Sequence, residues 1–151
     1  MTPKKIKPRV LFNCTTNVVG GGAKNAFLFI LSALEESSFH WNFAVSQAVT
    51  NLLEKKGVTL DESFHLFETS PAKNVRDRER LRSIAINNEC DIVYTMAGPA
   101  YVDFQMIHVQ GISNAYITHA DAEAFAFEEN YFKITINHCQ GVWSSVGHRP
   151  C

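Results

Sequence analysis

The stretch from Val10 to Leu34, VLFNCTTNVVGGGAKNAFLFILSAL, limits this chain more than any other. It opens with Val10, Leu11 and Phe12 in unbroken succession. A strand with apolar residues on both faces is covered on both faces, the condition of a parallel sheet. Parallel strands cannot be joined by hairpins and need long crossovers, usually helical. After three consecutive glycines, Gly20, Gly21 and Gly22, apolar residues recur at Ala26, Phe27, Phe29, Ile30, Leu31 and Leu34. That spacing belongs to a helix packed by one face.

The same alternation continues along the chain. Strands are expected at Arg9–Thr15, Trp41–Ser46, Ser63–Glu68, Asp91–Met96 and Gln105–Gln110. Helices are expected at Ala23–Glu36, Gln47–Lys56 and Val75–Asn88, with a loop from Asn17 to Gly22 and Gly57 as a C-terminal stop. Ala97-Gly98-Pro99 ends the fourth strand, and from Ala120 the sequence ADAEAFAFEENYFKI reads as helical again. Strands that alternate with helices predict an α/β fold: a Rossmann-like open parallel sheet with helices on both faces. Ligands of such sheets gather at the carboxyl ends of the strands, where the strand order reverses.

The length, 151 residues, fits a single domain over 1–151, with 1–8 and about 140–151 as poorly ordered ends. A chain of this size buries roughly 68–70% of its extended surface. Most of its 11 Phe residues are therefore expected in the core. The net charge of −1 supplies no field for nucleic acid, and no nucleic-acid partner is expected. Arg76, Arg78, Arg80 and Arg82 alternate with Asp77 and Glu79, the pattern of a solvated helix face. MTPKKIKPRV is not followed by an apolar segment of a secretory signal, and no apolar run is long enough to span a membrane. A cytoplasmic protein is expected, with Cys14, Cys90, Cys139 and Cys151 as reduced thiols.

Glycines between a buried strand and a helix let a ligand approach backbone that carries no Cβ. The helix behind them offers free N–H groups to an anion, and Lys24 adds a full charge. The spacing is neither G-x-G-x-x-G, since position 25 is Asn, nor a P-loop, since G-K-[ST] is missing. Two readings stand side by side: a phosphate-binding loop, or a tight turn that lets helix and strand pack closely.

The order strand, VVGGGAKN, helix, and later DIVYTMAGPAY and MIHVQGISNAYI, resembles the N-terminal domain of GT-B glycosyltransferases. The likeness is to the retaining group 1 enzymes (family 4) of bacterial polysaccharide and lipopolysaccharide assembly, over roughly residues 9 to 119. It implies the N-terminal half of a GT-B fold. Its reaction is sugar transfer from a nucleotide-sugar to a glycan or glycolipid acceptor, with peripheral contact at the inner membrane face. Gly20, Gly21, Gly22 and Lys24 would meet the donor diphosphate. Gly98, Pro99, Tyr101, His108 and Gln110 would contact acceptor or sugar, Gln110 standing where the family often has histidine. Apart from the resemblance, His119 at a turn into a helix is a further candidate for substrate contact. The resemblance names no catalytic residue here and implies neither metal nor cofactor, the nucleotide-sugar being a substrate. The family's donor-binding half is missing from the chain. A C-terminal partner domain or a second copy is implied, and little activity is expected without it.

Other constellations carry other readings. A complete, non-catalytic flavodoxin-like binding domain is the alternative from a different class. His138, Cys139, His148 and Cys151 are soft ligands whose adjacency suits one tetrahedral zinc poorly. Cys14 reads as a small core residue rather than a nucleophile, and Asp121 as a helix-start carboxylate. His40 and His65 read as strand-start residues at or near the surface. Phe125, Phe127, Tyr131 and Phe132 read as core packing.

Overall fold

In a computed structural model, which describes residues 7–112, the chain alternates strand and helix. It runs β1 (Arg9–Cys14), α1 (Gly20–Glu35), β2 (His40–Ser46), α2 (Gln47–Lys56), β3 (Phe64–Phe67), α3 (Val75–Asn87), β4 (Ile92–Thr95) and β5 (Ile107–Gln110). The five strands are all parallel and lie in the order β3-β2-β1-β4-β5. This is the Rossmann order, in which direction reverses between β1 and β4, and not the 2-1-3-4-5 order of flavodoxin-like sheets. The strand order that the flavodoxin-like alternative expects is corrected on that ground, and its role as a binding domain is untouched.

Strand alternation sorts the interior into two layers. Leu11, Ala44, Phe67 and Val93 face α3 and pack with its Leu81, Ile84 and Ala85. Phe12, Cys14, Phe43 and Val45 face the opposite way, against Ala23, Ala26 and Ile30 of α1 and Val49 and Leu53 of α2. Helices therefore cover both faces, as the unbroken run Val10–Phe12 requires. The second layer is rich in aromatic contacts. Phe12 stacks on Phe29 at 4.3 Å and Phe43 on Phe64 at 4.8 Å between ring centroids. Fully burying a ring, as at Phe12 and Phe43, contributes roughly 1.5–3 kcal/mol.

The helix ends differ in a way that bears on function. Ser46 caps α2 by accepting from the Val49 N–H, and Gly57 ends it in the left-handed region at φ 81°. Asn74 caps α3, with Asp77 in its first turn. At α1 the N-cap position is Val19, no side chain caps it, and its first turn carries no acidic residue. The helix also begins at Gly20, three residues before the expected Ala23. The glycines are thus its first turn and not the end of a loop. Each glycine costs a helix only about 1 kcal/mol relative to alanine. Burial of Ala23, Ala26, Ile30 and Ala33 just beyond offsets that cost.

Strand ends fall within two residues of expectation, the largest difference being Gln105 and Met106, which stay in the loop before β5. Among the described helices none is long and apolar enough to cross a membrane. His119, Asp121, the aromatic set 125–132 and the ligands His138, Cys139, His148 and Cys151 lie outside the described residues.

Candidate functional site

The three loops that leave the carboxyl ends of β1, β3 and β4 meet at one cleft of about 660 Å³. Thr16 and Val18 line it from the β1 side, residues 68–70 and 72–74 from the β3 side, and Gly98, Pro99 and Tyr101 from the β4 side. It lies at the switch point where an open α/β sheet of this order presents its ligand site. A smaller hollow of about 330 Å³ lies at the opposite, amino-terminal edge, between Arg9, Trp41 and Glu62.

Each of the three glycines has a different reason. Gly20 has φ +58°, a conformation that a side chain disfavours. Gly21 has nothing within 4 Å of the position a Cβ would take, so its backbone is bare to solvent. Gly22 is the packing glycine: a Cβ there would come within 3.0 Å of Asn17 Nδ2. Both sequence readings of the triple glycine therefore apply, at different residues. Lys24 is exposed one turn further on.

The loop that precedes α1 is fixed from three sides. The Asn17 N–H donates to the Cys14 carbonyl at 3.1 Å, and Ser46 Oγ donates to the Asn17 carbonyl at 2.7 Å. Thr16 Oγ1 donates to the Ala97 carbonyl at 3.1 Å, joining the loops on either side of the switch point. Asn17 itself is buried, yet its Oδ1 meets no donor among the described residues. Few buried polar atoms in folded proteins are left in that state.

Of the residues assigned to sugar contact, Gly98, Pro99 and Tyr101 line the cleft. Gln110 and His108 do not; they stand behind its wall. The Gln110 side chain lies against Gly98, and its Oε1 accepts from the Ala100 N–H at 3.4 Å. His108 Nε2 is 2.9 Å from Thr95 Oγ1, and the Phe104 ring meets the imidazole edge-on at 4.9 Å. Burial holds the His108 pKa below its ordinary 6.5 against the opposing charge of Asp103. His65 is likewise held low, by burial and then by the charge of Arg80. His40 opens β2 and is exposed, as expected.

Sequence reasoning missed the β3–α3 wall. Thr69 Oγ1 donates to the buried carboxylate of Asp77, and Asn74 Nδ2 donates to Thr69 Oγ1 at 3.4 Å. Arg78 donates to the carbonyls of Pro71 at 2.7 Å and Ala72 at 2.9 Å, with Tyr101's ring 5.9 Å from its guanidinium. Arg80 donates to the Leu66 carbonyl at 2.8 Å and Arg82 to that of Asp103 at 3.2 Å. The arginine run is thus corrected: three of its four members brace loops and strand ends. The available signal was position, because the polar segment ETSPAKN directly follows a parallel strand.

Chemically the cleft offers hydroxyls, backbone amides and one aromatic ring, with Lys73 and Glu68 as its charged lining residues. Cys14 lies nearby at the end of β1, but burial pushes its thiol up to about 12, which removes it as a nucleophile. Among the described residues no cluster of three His, Cys, Asp or Glu side chains is placed to hold a metal ion. The chain matches no protein-family model, no curated protein and no solved structure.

Proposed function

We propose that this chain is the acceptor-side, N-terminal half of a GT-B glycosyltransferase of the retaining group 1 kind. It works with a nucleotide-sugar donor and a glycan or glycolipid acceptor presented at the cytoplasmic face of a membrane. The observation that carries the reading is the amino end of α1. Gly20 and Gly21 are exposed there, no side chain caps the helix, and no carboxylate competes for its first amides. An uncapped helix end at the switch point of a parallel sheet attracts a phosphate by its dipole and its free N–H groups.

In this reading the amides of Gly21 and Gly22, with Lys24, stabilise negative charge on the departing nucleoside diphosphate. The acceptor lies in the neighbouring cleft, against Gly98, Pro99 and Tyr101. The donor's nucleoside is held by a second Rossmann-like half, so the chain alone binds weakly and transfers little.

Titration of the purified chain with UDP, GDP and their hexose conjugates, followed by backbone amide NMR, tests the reading. Shifts centred on 20–24 and 97–101 are expected. A Cβ at Gly21 enters free space, so Gly21→Val leaves the fold intact while masking the amides. Equal binding by the variant, or no binding by either protein, removes the reading.

A further inference from the structure

A chain of hydrogen bonds crosses the sheet from β1 to β5, buried at Asn13 and Thr95 and half-buried at His108. The Thr15 backbone N–H donates to Asn13 Oδ1 at 3.2 Å, and the Thr15 hydroxyl donates to the same oxygen at 2.8 Å. A backbone N–H can only donate, so the Asn13 amide has one orientation. Its Nδ2 then donates to Thr95 Oγ1 at 3.2 Å. Among the described residues the one acceptor that the Thr95 hydroxyl hydrogen can reach is His108 Nε2, 2.9 Å away, and the neutral imidazole satisfies it by accepting there. The imidazole therefore accepts at Nε2 and carries its proton on Nδ1.

We propose that His108 is a proton-operated latch, and that its protonation loosens β5 and with it the 97–101 wall of the cleft. An imidazolium donates at both nitrogens. Its Nε2–H would then take the remaining lone pair of the Thr95 oxygen, and the Thr95 hydroxyl hydrogen would lose its acceptor. The alternative acceptor, Asn13 Oδ1, is held by Thr15. Thr95 and Asn13 are buried at 0% and 1% exposure, so water does not replace the lost partner.

The looseness would spread along specific contacts. Among the described residues, β5 pairs only with β4, through four register positions from Ile107 to Gln110. Its apolar side chains Ile107 and Val109 are exposed, so packing adds little to that pairing. The cleft wall hangs on the end of this strand. Gly111 N–H donates to the Thr95 carbonyl at 2.8 Å, Gly98 N–H to the Gly111 carbonyl at 2.9 Å, and Ala100 N–H to Gln110.

The groups around His108 set the sign. Asp103, in the loop before β5, is the carboxylate that favours the charged form. Arg82 of α3 donates to the Asp103 carbonyl and pairs with Glu79, and β4 presents the uncharged Thr95. Phe104 adds an uncharged ring edge. Burial outweighs Asp103 and holds the folded pKa below 6.5. The folded state then binds fewer protons than the unfolded one. The latch is fully closed above pH 6.5 and opens as pH falls from there through the folded pKa.

Hydrogen exchange of the full chain, corrected for intrinsic rates between about pH 5.5 and 7.5, tests the proposal. Protection of 97–101 and 107–111 is expected to fall on acidification while β1 and β2 keep theirs. The loss should be about tenfold for each unit by which the fold lowers the His108 pKa. His108→Gln retains an acceptor for Thr95 but gains no proton, so its protection should not respond to pH. The same acid loss in both proteins, or none in the wild type, overturns the proposal. Should the variant not fold, nitrogen shifts of His108 in the wild-type protein decide. The Nδ1–H tautomer at neutral pH is required, and the Nε2–H tautomer overturns it.

Discussion

The side chain of Gln110 occupies the space that a Cβ on Gly98 would need: its Nε2 lies 2.2 Å from that position. The two residues are twelve apart in sequence and meet because β4 and β5 are parallel neighbours joined by the connection over 96–106. Gly98→Ala forces Gln110 to swing out and give up the Ala100 N–H. A cost of about 1 kcal/mol is expected, because the clashing group is a flexible side chain. Gly111→Ala meets the Met96 carbonyl oxygen at 2.3 Å, which is backbone and cannot step aside. About 3 kcal/mol is expected there. Urea denaturation of both variants and of Gly98→Ala combined with Gln110→Ala checks the assignment. The double variant should recover part of the Gly98→Ala loss; strict additivity would show that the pair does not interact.

Arg78 is the second brace of the cleft. Replacing it with Ala removes two charge-assisted hydrogen bonds to the carbonyls of Pro71 and Ala72 and leaves Tyr101 without its cation. A loss of about 2 kcal/mol is expected, centred on 69–74. Arg78→Lys should recover little of it, because an ammonium cannot span both carbonyls in the planar geometry of a guanidinium. Thermal melts and hydrogen exchange of the 69–74 segment measure both effects. Full rescue by lysine would mean that charge, and not the forked geometry, holds the loop.

These two sites also show what the sequence could carry and what it could not. Strand runs such as Val10–Phe12 are readable because burial on both faces leaves an unbroken apolar signal. That ligands gather at the carboxyl ends of the strands follows from strand–helix alternation, whereas Gly98, Pro99 and Tyr101 are assigned there by the resemblance. The start of α1 at Gly20 is not legible locally, because glycine's low helix propensity is offset by the packing of Ala23, Ala26, Ile30 and Ala33 behind it. The roles of Arg78 and Gln110 were not legible at all. Alternating charges describe a helix surface, but the carbonyls that Arg78 reaches belong to a loop whose path no local pattern fixes. The same holds for the hydrogen-bond chain from Thr15 to His108, whose members come from β1, β4 and β5.

The two described cysteines should be inert. Burial pushes the Cys14 thiol up to about 12 and that of Cys90 to about 11. At about pH 8 only about one Cys14 in ten thousand is thiolate, and its sulfur is enclosed besides. Native protein treated with iodoacetamide and mapped by mass spectrometry should show both unlabelled. Labelling at each should appear only with global unfolding in urea. Modification of Cys14 under native conditions would show that the end of β1 opens locally.

Gly20 and Gly21 separate the two reasons for glycine at the head of α1, and stability and binding should respond in opposite ways. Gly20→Ala places a Cβ on backbone at φ +58°, which costs about 1–2 kcal/mol. Gly21→Ala meets open space and removes unfolded-state freedom, so it should stabilise the chain by about 0.5 kcal/mol. A phosphate compound that uses the first amides of α1 must approach through that same space. Gly21→Ala is therefore expected to weaken the binding of UDP by several-fold while raising the melting temperature. Gly21→Val should weaken it further. A variant that is both more stable and equally competent in binding would place the phosphate elsewhere. One that loses stability would mean that the space beside Gly21 is filled in solution.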